Sequence, residues 1–565
     1  MNNHIIHEKK SFANMRELIE WAGKEHGEKT AYSYRKKPND KQIKKVSFLR
    51  FRDDVRHLSC ALNVMGCTEK HCAVIGKFSY DWAVMYFSLL SIGAVIVPLD
   101  KEWLSKDLSD TCKKADVKFL FADEDIKGKA DDISKTVSLS HETVYMLSKD
   151  EEMSIKKLTN KGRKIYSENS SLYFDADIDP FKMALLVFTS GTTGKGKGVM
   201  LSQNAILSDI NDAIPYIDYS GKTVSLLPPH HTYGSTVMFA GHTVIGAEIY
   251  ISSGLKYITK EMKEQKPGHL ALVPLYLETF YRRILQTVKD KGKEKLLFRM
   301  IKISNFLRRF GIDIRKKLFS SVRDAFGGEL KTVISGGAPI NPEILEFFEA
   351  IGISTLNGYG ITECAPLIAF NRSKNIVPGS VGNPMDIVSI KIDDPNEEGE
   401  GEILVKGPNV MLGYYNDEDA TKEAMTADGY FRTGDYGRFD KNKILYITGR
   451  KKNLIILSNG KNVYPEEIEN EFTAIPGLLE IIVYEGQSKR ALEYNAIVAE
   501  IFPDREYFKK NGIEDIFGYF KKYIDNHNRE TVVYKKIAIL KIRENEFPKN
   551  TLRKIIRYKL DMTID

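Results

Sequence analysis

FTSGTTGKGKGVM, residues 188–200, closes an apolar run and sets Thr189, Ser190, Thr192 and Thr193 among Gly191, Gly194, Gly196 and Gly198. Hydroxyls and unencumbered backbone N–H groups are what an anion-binding loop offers. Gly191, Gly196 and Lys197 fit the G-x-x-x-x-G-K spacing of the nucleotide-hydrolysing loop. The next residue in that loop is a Ser or Thr that ligates magnesium and opens a helix. Here it is Gly198, and Val199, Met200 and Leu201 continue as strand-compatible sequence. Alone, the stretch reads either as a phosphate loop of open type or as a glycine turn.

On both sides of it the chain alternates helical spacing with short apolar runs. Val55, Leu58, Leu62 and Met65 recur at intervals of three and four, followed by CAVIG at 72–76. FKMALLVF (181–188), TVSLLP (223–228), HLALVP (269–274), KTVIS (331–335) and ISTLNGYG (353–360) each end in glycine, proline or hydroxyl residues. This alternation predicts a mostly parallel sheet covered by helices, with its ligand crevice at the carboxyl ends of the strands. AVMYFSLLSIGAVIVPL, residues 83–99, is uncharged. Gly93, Pro98 and the β-branched run Val95–Val97 make it a buried helix entering a core strand, not a membrane span. From about residue 380, short strands and turns predict a β-rich subdomain, and a domain boundary is expected near 449.

The 565 residues exceed one hydrophobic core, and 42% apolar composition suffices for at least two domains. A balance of 83 basic to 76 acidic residues, a formal +7, gives no signature of nucleic-acid binding. Cys60, Cys67, Cys72, Cys112 and Cys364 have no paired C-x-x-C spacing and read as reduced thiols. The N-terminus MNNHIIHEKKSF lacks the apolar run of a signal peptide, so a cytoplasmic location is expected. Residues 282–323 are rich in Lys and Arg with interleaved Leu, Ile, Met and Phe. The preferred reading is a solvated helical insertion with one buried face; the alternative is a helix lying on the inner face of an anionic membrane.

TSGTTGKGKG (189–198), NGYGITE (357–363), YFRTGD (430–435), GRKKN (449–453) and NGKNVYPEEIE (459–469) together resemble, in order and spacing, the adenylate-forming enzyme superfamily. That superfamily comprises acyl-CoA synthetases, peptide-synthetase adenylation domains and beetle luciferases. The resemblance runs from about residue 30 to the C-terminus. RKKLFSSVRDAFGGELKTVISGGAP, residues 315–339, is similar to the corresponding segment of long-chain fatty acyl-CoA synthetases.

The resemblance implies an α/β fold: a large N-terminal adenylation domain over 1–449, built of two helix-covered mixed sheets plus a β-rich subdomain about 380–449. A small mobile α+β lid over 450–565 follows. It implies ATP, magnesium and coenzyme A as partners of a fatty acid. Thr189, Ser190, Gly191, Thr192, Thr193, Gly194 and Lys197 become phosphate contacts. Gly337 and Ala338 of SGGAP face Asn357, Gly358, Tyr359 and Gly360 across an adenine pocket. Thr362 reaches the α-phosphate, Glu363 holds magnesium, and Asp435 accepts from the ribose, with Arg450 as a second ribose or phosphate contact. Within YFRTGD the only basic residue near Asp435 is Arg432.

The H-x-Y-G spacing selects His231 over His230 as the residue between acyl pocket and thiol tunnel. FPKNTLRKIIRYKL places Lys554 as the lysine of the adenylation step. Lys452 is the hinge, and Gly460, Lys461 and Asn462 face the pantetheine tunnel. The chain departs from the pattern at Arg553 (usually Gly), Asn550 (Thr), Gln203 (His) and Asn453 (Asp). Transfer to an acyl carrier protein, or a catalytically impaired nucleotide- or acyl-binding regulator, are the alternative readings.

Overall fold

The structure is a computed structural model that describes residues 5–146, 154–189, 196–456, 462–487, 495–549 and 555–564. Ser190, Gly191, Thr192, Thr193, Gly194, Gly460, Lys461 and Lys554 lie outside the described residues.

A seven-stranded sheet runs in the order Gly413–Tyr414, Lys197–Ser202, Met183–Thr189, Val95–Leu99, His71–Ile75, Phe119–Asp123 and Val144–Met146. Its pairs from Met183–Thr189 to Val144–Met146 are parallel, and Lys197–Ser202 turns back antiparallel. The reason is local: the phosphate motif ends in a strand with Thr189 opposite Lys197, where the hydrolase loop would begin a helix. Ser202 then caps the helix Gln203–Ala213 by accepting from the Ala205 N–H at 3.0 Å.

A five-stranded sheet, His269–Leu272, Thr332–Gly336, Ser354–Gly360, Leu367–Phe370 and Asn383–Pro384, is parallel over its first three strands and antiparallel after them. A four-stranded sheet adds Lys44–Ser47, Thr30–Tyr34, Glu248–Ile251 and Lys222–Val224. Both large sheets are mixed, as the resemblance implied. The β-rich part is an antiparallel sheet of Ser389–Asp393, Gly401–Lys406, Phe431–Phe439 and Leu445–Arg450. After the turn Lys451–Asn453, the sheet Leu478–Gln487, Asn495–Pro503 and Ile539–Ile542 packs with the helices Pro465–Phe472 and Ile516–Glu530 around Ile468, Phe472, Val483, Ile501, Phe520 and Ile524.

Residues 83–99 are the expected buried helix and strand. Ser79 caps the helix Tyr80–Leu90, accepting from the Trp82 N–H at 3.1 Å, and Val95–Leu99 is buried along its length. Gly93 makes the turn between them at φ +72°, and a Cβ there would lie 2.5 Å from the Asp177 carbonyl oxygen. No helix of the described residues is long and apolar enough to cross a membrane. All five cysteines are buried and form no disulfide.

Candidate functional site

The strands Ser354–Gly360, Phe431–Phe439 and Leu445–Arg450 bring together three residues far apart in sequence. The Tyr359 hydroxyl donates to Asp435 Oδ2 at 2.7 Å, and Arg450 Nε lies 2.9 Å from Asp435 Oδ1. Asp435 and Arg450 are direct cross-strand partners. The Asp435 N–H also donates to Thr433 Oγ1 at 3.1 Å. Burial, with the Asp435 carboxylate beside it, pushes the Tyr359 phenol well above its usual range, so it stays a neutral donor. Asp435 in turn raises the Arg450 guanidinium against the effect of burial.

The basic partner of Asp435 is therefore Arg450, not Arg432. Along Phe431–Phe439 burial alternates, with Phe431, Thr433 and Asp435 inward and Arg432 on the other face. Arg432 pairs instead with Asp393 at 2.9 Å and Glu402 at 3.1 Å. A carboxylate offers about four acceptor positions, of which Tyr359 and Arg450 take one each.

Glu363 sits in the short helical turn Thr362–Cys364 after Ser354–Gly360. Tyr414 donates to its Oε1 at 3.0 Å, while Lys197 Nζ lies 4.6 Å from the centroid of the Tyr414 ring. Tyr414 is held there because Gly413–Tyr414 pairs with Met200 and Val199. Burial and Glu363 both push the Tyr414 hydroxyl upward, so it too remains a donor. Sequence reasoning missed this tyrosine, since nothing in GYY marks the strand pairing that places it. It joins the lysine of the phosphate motif to the carboxylate of NGYGITE. One carboxylate with phosphate oxygens is a donor set that suits magnesium, and Glu363 would supply it.

Thr362 accepts from the Ala365 N–H at 3.2 Å through its carbonyl, and Asn357 Nδ2 donates to the Ser380 carbonyl at 3.1 Å. Gly337 has φ +91°, and a Cβ on Gly360 would lie 2.1 Å from the Pro366 carbonyl oxygen. Both glycines are dictated by backbone geometry, one by its left-handed conformation and the other by close approach. Ala338 follows Gly337 in the turn after Thr332–Gly336, and Lys452 stands in the turn Lys451–Asn453. Asn462 pairs with Ile456 in a two-stranded sheet.

Two cavities adjoin these groups. A pocket of about 90 Å³ has Gly336, Gly337, Gly358, Tyr359 and Gly360 along one wall. Ile210, Ile214, Ile217, Val237, Leu356 and Phe370 contribute its apolar lining. Tyr219 also lines it, and the Tyr219 ring lies edge-on to the buried pair His242 and His269, whose Nε2 atoms are 2.9 Å apart. A larger cleft of about 1690 Å³ is lined by Thr189, Gly196, Trp103, His230, Lys549 and Ile556, among others. His230 Nε2 lies 3.5 Å from Asp100 Oδ2, and burial lowers its basicity. His231 is its ring neighbour at 4.5 Å and is not among the residues lining this cleft. Lys549, Ile556 and Lys559 line the same cleft as Thr189.

Two departures from the family pattern acquire physical reasons. Gln203 is buried and uses both ends of its amide: Oε1 accepts from the Met15 N–H at 2.8 Å, and Nε2 donates to the Leu90 carbonyl at 2.9 Å. It fastens two helices. Asn453 donates to the Glu466 carboxylate, where an aspartate would meet like charge.

A family model described as AMP-binding enzyme matches residues 19–415. Long-chain-fatty-acid–CoA ligase 5 of Rattus norvegicus is 27% identical over 506 residues, covering 83% of this chain and 72% of that one. Long-chain-fatty-acid–CoA ligase 6 of Mus musculus is 27% identical over 485 residues, 80% of this chain and 68% of that one. Among solved structures, ATP-bound MatB from Rhodopseudomonas palustris superposes with a TM-score of 0.74 at 23% identity, over 96% of this chain and 97% of that one. The anthranilate CoA ligase AuaEII in complex with anthranoyl-AMP gives 0.77 at 17% identity, over 97% of each chain. At such identities these two share the fold.

Proposed function

The chain belongs to the AMP-binding enzyme family, and from that premise we propose that it is an AMP-forming fatty acid–CoA ligase acting on long chains. The observation that carries this reading is a shared wall. Gly337, Gly358, Tyr359 and Gly360 line the apolar pocket, while the Tyr359 hydroxyl reaches the Asp435–Arg450 pair. An acid whose first methylenes enter the apolar pocket would present its carboxylate beside a nucleotide whose ribose hydroxyls donate to Asp435. The assignment to long chains follows the relatives named long-chain-fatty-acid–CoA ligase.

The reaction has two halves. The fatty acid carboxylate attacks the α-phosphorus of ATP, an acyl–O–P bond forms, and pyrophosphate leaves. The coenzyme A thiol, its proton passing to solvent, then attacks the acyl carbon, and AMP departs with the bond pair. Lys197 and the hydroxyls of residues 189–193 hold the departing phosphates. Glu363 would hold magnesium, which when bound would neutralise phosphate charge. Lys554 supports the charge that builds at the carboxylate and α-phosphate in the first half. The division at about residue 449 then separates a nucleotide-holding body from a C-terminal lid, with Lys452 in the turn between them. Rotation about that turn brings residues 460–462 toward the thiol in the second half, and closure keeps water from the anhydride.

The test is pyrophosphate release with carboxylic acids from acetate to oleate, with and without coenzyme A. Release that rises with chain length, and thioester formed only when coenzyme A is added, is the expected result. ATP binding without turnover of any acid overturns the reading. Product formed on a purified carrier protein, with none on coenzyme A, replaces the acceptor. Lys554→Ala is expected to lose acyl-adenylate formation while keeping thioester formation from supplied acyl-AMP.

A further inference from the structure

Residues 282–323 carry fourteen Lys and Arg against three Asp and Glu. That surplus of eleven exceeds the +7 of the whole chain, so the remaining residues are net acidic by four. The segment folds as the end of the helix Pro274–Asp290, the helix Glu294–Arg308 and two short turns, Arg315–Leu318 and Ser320–Arg323.

Glu294–Arg308 has a distinct inner face. Leu297 and Ser304 are buried, and Arg308 and Arg315 reach inward to Glu349 at 3.1 and 2.9 Å. Its outer face is unusual for a protein surface, because large apolar side chains stand in water. Leu296 and Ile303 are each 50% exposed and Phe306 is 57% exposed. At 3.6 residues per turn these three fall within an arc of about 80°. Phe310, just past the helix end and 67% exposed, packs edge-on against Phe306 at 5.2 Å. Arg299 lies within that arc, and Lys295 and Lys302 along its edge, with Arg309 beyond them. Among the described residues no acidic side chain pairs with any of these four.

We propose that this outer face docks the protein on an anionic lipid surface, with Leu296, Ile303, Phe306 and Phe310 entering the headgroup–acyl boundary and the surrounding cations meeting lipid phosphates. A contiguous apolar stripe rimmed by Lys and Arg is the chemistry of an interfacial helix. Each cation near an anionic leaflet adds attraction that salt screens. A second copy of the chain would bring one cationic surplus against another. A bilayer supplies hydrocarbon and negative charge together. The preceding helix, Pro274–Asp290, connects the patch to the cleft, whose lining includes Tyr276.

Vesicle flotation of the full chain tests the proposal and requires no turnover, so it is independent of the catalytic reading. The probes are neutral phosphatidylcholine vesicles and vesicles containing one third phosphatidylserine, at low and high salt. The expected result is partition onto the anionic vesicles, reduced by salt and by a neutral composition. Phe306→Ser/Phe310→Ser is expected to lower partition at least about tenfold, and Lys295→Glu/Lys302→Glu to remove most of the salt dependence. Circular dichroism and the thermal midpoint check that both variants are folded. Absence of partition at low salt overturns the proposal, as does partition unchanged in both folded variants. Saturable binding of a purified acidic carrier protein that these variants abolish, without vesicle binding, assigns the face to that class of partner instead. Concentration-dependent dimerisation lost in the Phe variant, again without vesicle binding, assigns it to a second copy.

Discussion

The helices Tyr80–Leu90 and Glu294–Arg308 both draw attention as apolar segments, yet they stand in opposite surroundings. In the first, every residue except Asp81 is buried, and Trp82 stacks on Tyr86 and Phe239 at ring separations of 5.6 and 5.1 Å. In the second only Leu297 and Ser304 are buried. The first has almost no charge, so a core between sheets is its only accommodation in water. The second carries cations that keep its surroundings wet while phenylalanines stay uncovered. The presence of large apolar side chains does not separate these outcomes; the placement of charge around the apolar face does.

Substitutions sharpen that contrast, and the largest effect belongs to the buried helix. Trp82→Ala removes a fully packed indole and is expected to cost about 3–5 kcal/mol, read from urea unfolding. If it costs no more than a surface change, the helix is not the core element its burial indicates. Asp435→Ala comes next, because it strands a buried tyrosine hydroxyl and weakens the hold on Arg450, which is half exposed. A loss of about 1–3 kcal/mol is expected, with AMP affinity in calorimetry falling further than in Asp435→Asn, which keeps one acceptor oxygen.

Glu469 lies between the two extremes, a charged residue type held inside the C-terminal domain. It accepts from the Val483 N–H at 2.6 Å and pairs with Arg557. Burial pushes its carboxyl up to about 7, with Arg557 opposing. The folded state therefore binds more protons than the unfolded state between the ordinary carboxylate range and pH 7. The stability this contributes is full below pH 4.5 and is lost as pH rises through 7, a swing on the order of 3 kcal/mol. Glu469→Gln should flatten that part of the pH–stability curve, and an unchanged slope contradicts the burial. The smallest effect is predicted for Phe306→Ser, within about 0.5 kcal/mol of the parent in the same unfolding assay. A larger loss would mean that the ring is packed and not exposed.

The alternation of apolar runs with glycine and proline made the main strands legible, from His71–Ile75 to Ser354–Gly360, because a buried strand must be apolar on both faces. Gly337 and Gly360 were named through the resemblance alone; the left-handed φ of one and the close approach at the other come from the structure. The partner of Asp435 was not legible. Within YFRTGD proximity points to Arg432, but three residues along a strand is an odd step and reaches the opposite face, as it does for Arg438, whereas Arg450 arrives through cross-strand register. Tyr414 was hidden for the same reason. Gln203 and Asn453 stood only as departures from the family pattern, because the hydrogen bonds that explain them come from Met15, Leu90 and Glu466, which their own motifs do not show. Periodicity identified the basic helix, but which of its faces stays uncovered depends on neighbours that its own sequence does not encode.

Arg450 is the last residue of its strand, and Lys451 opens the turn that follows. The guanidinium that meets Asp435 is thus one peptide bond from the path into the C-terminal domain. Thermodynamic reciprocity follows from that adjacency. If a rearrangement of residues 451–453 shifts Arg450 and alters nucleotide affinity by some factor, bound nucleotide must bias that rearrangement by the same factor. A ligand held at the Asp435 carboxylate would then act as an effector of domain orientation, through a single side chain and without a separate regulatory site.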